Sequence, residues 1–118
     1  MVFYDRNGRP TAYADDNVHI FLFSGEAVGY LNGTAVYSYK GKLLGWFDKG
    51  WIRDLRGCCV FFSEKVTGGP VTPVKKICPV KSVKRVIPVK HVEAIRQVRA
   101  VDKYDWSALS GESFFAQK

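Results

Sequence analysis

The feature that most constrains this chain is a fourfold repeat. Gly8, Gly25, Gly41 and Gly57 stand 17, 16 and 16 residues apart. Five residues after each comes an aromatic: Tyr13, Tyr30, Trp46 and Phe62. Four residues before them stand Tyr4, Phe21, Tyr37 and Arg53, and four after them Ala12, Gly29, Gly45 and then Phe61. Asn7-Gly8 is a strong hairpin signal, and Ser24-Gly25, Lys40-Gly41 and Arg56-Gly57 hold the same place. A second set of turn residues lies between the glycines, at Asp15-Asp16-Asn17, Asn32-Gly33 and Asp48-Lys49-Gly50. The pattern predicts eight strands of about five residues, rich in the aromatic and β-branched residues that suit a pleated surface. A lone hairpin cannot bury its face, so the four are expected to close into a ring around a shared axis, which limits exposed edges. In that ring the aromatic after each glycine meets its equivalents, and the small residue before it permits close backbone approach. An open eight-strand meander is the alternative. The expected fold class is mainly β.

The repeated order of aromatic, turn glycine, small residue and aromatic resembles the bacterial 4-fold beta flower protein family. The likeness is carried by GRPTAY, FLFSGEAVGYL, GKLLGWFDKGWIRD and CVFF within residues 3–62, and by TGGPVTPVKK and WSALSGESFF further on. The resemblance implies four pseudo-symmetric β units. It implies no activity, ligand or catalytic residue.

After Thr67-Gly68-Gly69-Pro70 the pattern changes. Val74, Ile77, Val80, Val83, Val86, Val89, Val92, Ile95, Val98 and Val101 stand three apart without a miss. A helix would drift about 60° per triplet, and a strand would scatter these residues over both faces. Polyproline II has three residues per turn and accepts Pro73, Pro79 and Pro88. The expected structure is an extended, polyproline-like or broken-strand arm with one apolar edge. The proline-free stretch from His91 to Val101 leaves a short helix open as the other possibility. Fully extended, residues 74–101 would run about 85 Å, against a radius of gyration of about 13 Å for a domain of this length. The arm must therefore fold back, wrap around the ring or pack on another copy. An uncovered row of ten Val and Ile is an aggregation liability, so a partner surface is expected to cover it, most simply in a homo-oligomer.

The net charge of +7 is concentrated here. Residues 63–104 hold ten Lys or Arg against three Asp or Glu. The candidate interaction or anion-binding residues are Lys75, Lys76, Lys81, Lys84, Arg85, Lys90, Arg96 and Arg99. They are placed to neutralise phosphates, but the stretch lacks aromatics for stacking bases. The competing reading is a solvated edge that keeps a valine-rich strand soluble. An anionic membrane surface is a further possibility. The tail from Tyr104 carries Trp106, Phe114 and Phe115 and is expected to dock on the β unit or close a subunit interface, with Asp105 or Ser107 capping a helical turn that Gly111 ends. Candidate assembly residues are Val74, Ile77, Val80, Val83, Val86, Val89, Trp106, Phe114 and Phe115. The chain is read as a four-repeat β domain over 1–66, the arm over 67–103 and the tail over 104–118.

Motifs for catalysis are missing. His19 and His91 read as structural, and Asp15-Asp16 as turn residues. Cys58, Cys59 and Cys78 lack paired zinc-ligand spacing and read as small buried or half-buried hydrophobes. No nucleotide-binding glycine motif is present. No catalytic, cofactor or metal residue is expected, and no transmembrane segment or secretory signal is visible. An odd cysteine count fits a reducing compartment, here the bacterial cytoplasm. The expectation is a non-enzymatic structural or protein-interaction module that self-assembles through the arm; the alternative is a nucleic-acid-binding accessory protein.

Overall fold

A computed structural model describes residues 1–109 and 111–117. Its strands are β1 (Val2–Tyr4), β2 (Pro10–Tyr13), β3 (His19–Leu22), β4 (Ala27–Asn32), β5 (Ala35–Tyr37), β6 (Leu43–Asp48), β7 (Trp51–Asp54) and β8 (Cys59–Phe62). Each pairs antiparallel with the next, and β8 returns to β1 through Tyr4 and Phe62, so the ring closes as a barrel. The open meander is excluded.

The fourfold repeat is visible in the backbone. Gly8, Gly25, Gly41 and Gly57 all have positive φ, between 79° and 97°. In every hairpin the register slips once, at Phe3/Tyr4, Ile20/Phe21, Val36/Tyr37 and Ile52/Arg53. A glycine in the left-handed region beside an extra residue is the signature of a bulged hairpin turn, which sharpens the strand twist a small barrel needs. Asp5 and Asp54 brace the first and last of these turns. Each Oδ1 accepts two backbone N–H groups at 2.9 Å, from Asn7 and Arg9 and from Arg56 and Cys58. At the other end, Asp16 Oδ1 accepts from the N–H groups of Val18 and His19, so Asp15-Asp16 is a turn as expected.

The expectation for the aromatics needs correcting. The barrel interior is mainly aliphatic, built on Ala12, Ile20, Leu22, Val36, Leu44, Ile52 and Val60 with Phe3 and Phe61. The aromatic after each glycine lies on the outer face. There it meets the residue four before the next glycine: Tyr13↔Phe21, Tyr30↔Tyr37, Trp46↔Arg53 and Phe62↔Tyr4 are cross-strand partners. Three of these pairs stack, with ring centroids 5.3–6.0 Å apart. Both faces of the barrel wall are therefore buried.

The small residues do permit close approach. A Cβ at Gly45 would stand 2.0 Å from the Arg53 carbonyl oxygen and 3.1 Å from the Phe114 ring. One at Gly29 would stand 2.8 Å from the Tyr37 carbonyl oxygen and 3.8 Å from Phe115. The tail uses that room. Phe114 and Phe115 pack on Phe61 inside the barrel, at centroid distances of 5.8 and 5.5 Å. Gly111 opens a 3-10 turn, Gly111–Phe114, rather than ending one, and Ser107 accepts from the Leu109 N–H instead of capping it. Trp106 lies against Trp51 and Phe62.

Candidate interaction surface

The arm has no ladder and no helix; the helical option for residues 91–101 is not realised. It wraps the barrel. The Lys76, Arg85, Ala94 and Lys103 N–H groups donate to the carbonyls of Gly8, Gly25, Gly41 and Gly57 at 2.8–3.1 Å. Each donor is nine residues beyond the last, so one nine-residue step of arm spans one hairpin. Two residues before each donor, the carbonyls of Val74, Val83, Val92 and Val101 lie where a Cβ on those glycines would be, at 2.1–2.2 Å from its position. Only glycine leaves the arm this path.

The dimensions agree with this route. The 27 steps from Val74 to Val101 at about 3.1 Å each make about 84 Å. Three quarters of a circle of that length has a diameter of about 36 Å. The molecule measures 36 × 36 × 22 Å and its radius of gyration is 13.2 Å.

Three residues per turn give the arm three edges, each with one task. Every arm N–H that donates to a barrel carbonyl belongs to the third edge: Thr67, Lys76, Ser82, Arg85, His91, Ala94 and Lys103. Pro79 and Pro88 share that edge at positions where no donor is used. The second edge turns its side chains onto the outer aromatic pairs. Lys75 lies over the Tyr4 ring, and its Nζ donates to the Glu64 carbonyl at 3.1 Å. Lys81 and Lys84 lie over Tyr13 and both reach Asp15, at 3.0 and 3.1 Å. Lys90 lies 4.3 Å from the Tyr30 centroid. Glu93 accepts from the Tyr30 hydroxyl at 2.7 Å, and Arg96 lies over Tyr37 while donating to the Asn32 carbonyl. Arg99 pairs with Asp48 and Asp102. A cation over an aromatic face is attracted by the ring quadrupole, and its aliphatic stem covers apolar surface.

The first edge faces away. Val74, Ile77, Val80, Val83, Val86, Val89, Val92, Ile95, Val98 and Val101 are each 83–95% exposed. The arm is thus inverted relative to a conventional amphipathic segment, with charge turned to the barrel and the aliphatic column turned outward. The basic edge stays solvated even where it lies over the rings, with the Lys81 and Lys84 side chains 43% and 44% exposed. Of the eight candidate cations, only Lys76 and Arg85 lack a side-chain partner among the described residues. Of the candidate assembly residues, Phe114 and Phe115 are instead buried in their own barrel and Trp106 is partly buried against it.

Electrostatics follow the docking. Hydrogen bonds from Lys81 and Lys84 hold the Asp15 carboxyl below its ordinary value, and those from Tyr30 and Asn32 do so for Glu93. Burial, then the Cys78 thiol and the Glu64 charge, push Tyr4 up to about 12. Cys78 is exposed, unlike the buried or half-buried position expected of it; Cys58 is half-buried and Cys59 buried. Burial pushes the Cys59 thiol up to about 11, so it is a packing residue. His19 hydrogen-bonds Asp16 at 2.6 Å. Among the described residues no group of three or more His, Cys, Asp or Glu is placed to hold a metal, and no helix is long and apolar enough to cross a membrane.

Four hairpins, a belt and an aromatic tail together match the pattern of the 4-fold beta flower protein family over residues 1–115. The chain belongs to that family. No curated protein and no solved structure matches it. In this beta flower protein, the belt as well as the barrel falls within the matched span.

Proposed function

We propose that this chain is a non-enzymatic interaction module that self-assembles through the outward aliphatic column of its arm. The observation that carries the reading is the row of ten Val and Ile side chains, each at least 83% exposed. Burying one such side chain is worth about 1.5–3 kcal/mol, so the row forgoes on the order of 15 kcal/mol or more in water. Association of two proteins costs about 4–15 kcal/mol before contacts contribute. Half the row, covered by a second copy, is enough to compete with that cost. The column itself is uncharged, so two copies can approach along it without setting like charges face to face.

Sedimentation equilibrium of the full chain across micromolar concentrations tests this. The expected result is an oligomer that Ile77→Glu with Val80→Ser and Val83→Glu converts to a monomer of unchanged circular dichroism. A monomer at every concentration overturns the reading. The nucleic-acid alternative rests on the +7 charge. Fluorescence anisotropy with a single-stranded and a duplex oligonucleotide at low salt addresses it, and the occupied inner edge predicts no saturable binding.

A further inference from the structure

The barrel offers equivalent clefts between the glycine turns of neighbouring hairpins, and they are not equally filled. Between the last hairpin and the first, Ser107 of the tail is bound by Asp54, and its carbonyl accepts from Arg6. Between the first and second hairpins, the tail's Gly111 and Glu112 leave about 200 Å³ beside Arg9, Leu22 and Phe23. Between the second and third, residues 26–28 and 38–40 occupy the corresponding positions, and the space widens to about 670 Å³. That volume falls in the range of small-molecule sites.

The wide cleft differs in chemistry as well as in size. Val28, Pro88, Val89 and Phe115 give it an apolar wall drawn from a strand, the arm and the tail. Lys40, Lys42 and His91 also line it, against one carboxylate, Glu26. The narrow cleft instead carries Asp5 and Glu112 against Arg9. We infer that the wide cleft binds a small amphiphilic anion, an alkyl or aryl carboxylate whose apolar body lies on the Val28–Phe115 wall and whose carboxylate meets Lys40. This site shares Val89 alone with the aliphatic column, and the inference does not rest on self-assembly.

Amide NMR spectra of the full chain, titrated in turn with decanoate, decylamine and inorganic phosphate, test the inference. Decanoate is expected to give saturable shifts centred on Ala27, Val28, Val89 and His91, with decylamine and phosphate giving none there. Lys40→Glu should weaken decanoate at least fivefold, and Val28→Trp, which fills the cleft, should abolish binding. Equal shifts with decanoate and decylamine would overturn the inference, because the cations would then contribute nothing. So would shifts centred on residues 74–86, or no saturable shift at all.

Discussion

Arg53 binds the carbonyl of Lys103, with Nη1 donating at 2.6 Å, while its Nη2 donates at 2.7 Å to the carbonyl of Gly68. One guanidinium therefore clasps the beginning and the end of the arm. Nη1 also reaches the Gly57 carbonyl at 2.9 Å, and Nε lies 3.5 Å from Asp102. Its neighbours by symmetry are Tyr4, Phe21 and Tyr37, which each need only be covered by arm. At the fourth position two stretches of chain meet, and a planar fork of five donors can satisfy both.

Replacing Arg53 by Met should leave the part-buried Gly68 and Lys103 carbonyls without this donor, while the Gly57 carbonyl keeps the Lys103 N–H. At about 1–3 kcal/mol for each unsatisfied group, the expected loss of stability is about 3 kcal/mol or more in urea unfolding. Arg53→Lys should recover only part of it, because an ammonium cannot span both carbonyls. Hydrogen exchange should quicken at both ends of the arm together. Quickening at one end alone would show that the two are not held by the same residue.

The turn glycines give a second prediction. At Gly25 the φ is +97° and a Cβ would meet the Val83 carbonyl oxygen at 2.2 Å; at Gly111 the φ is +53° and nothing lies within 4 Å. Gly25→Ala should cost clearly more than the roughly 1–3 kcal/mol of backbone strain alone, and should speed exchange of the Ser82 and Arg85 amides. Gly111→Ala should show strain without loss of arm protection.

Acid should loosen the belt unevenly. Asp15 and Glu93 have folded values held below their ordinary ones, so the docking they support is fully present above about pH 4 and is lost as pH falls through the folded values. Between pH 6 and 3 the amide signals of Arg85 and Ala94 are expected to move toward unfolded positions before that of Lys76, whose step of the arm has no carboxylate side chain bound to it. Simultaneous movement of all three would contradict this assignment.

Much of the barrel was legible because its repeat is written in glycines, whose positive φ no other residue supplies as readily. The side on which the aromatics lie was not. Tyr13 and Tyr30 are buried under the arm while Ile20 and Val36 are buried inside, so alternation gives no polar face to mark the outside. The triplet in the arm was legible as a three-per-turn helix, but its orientation was not: Lys81 over Tyr13 is the same letter as a lysine in water. A signal was present in Pro70, Pro79 and Pro88, whose spacing of nine is three triplets and matches the arm's step past each hairpin.

The most direct measurement is the proton chemical shift of the lysine ε-methylenes. With Lys81 and Lys90 each 4.3 Å from the centroid of Tyr13 or Tyr30, ring currents should move their signals well upfield of those from Lys49, an exposed turn lysine. Signals of Lys81 and Lys90 coincident with that of Lys49 would mean that the charged edge does not lie over the rings, and that the aliphatic column is not the surface this protein presents.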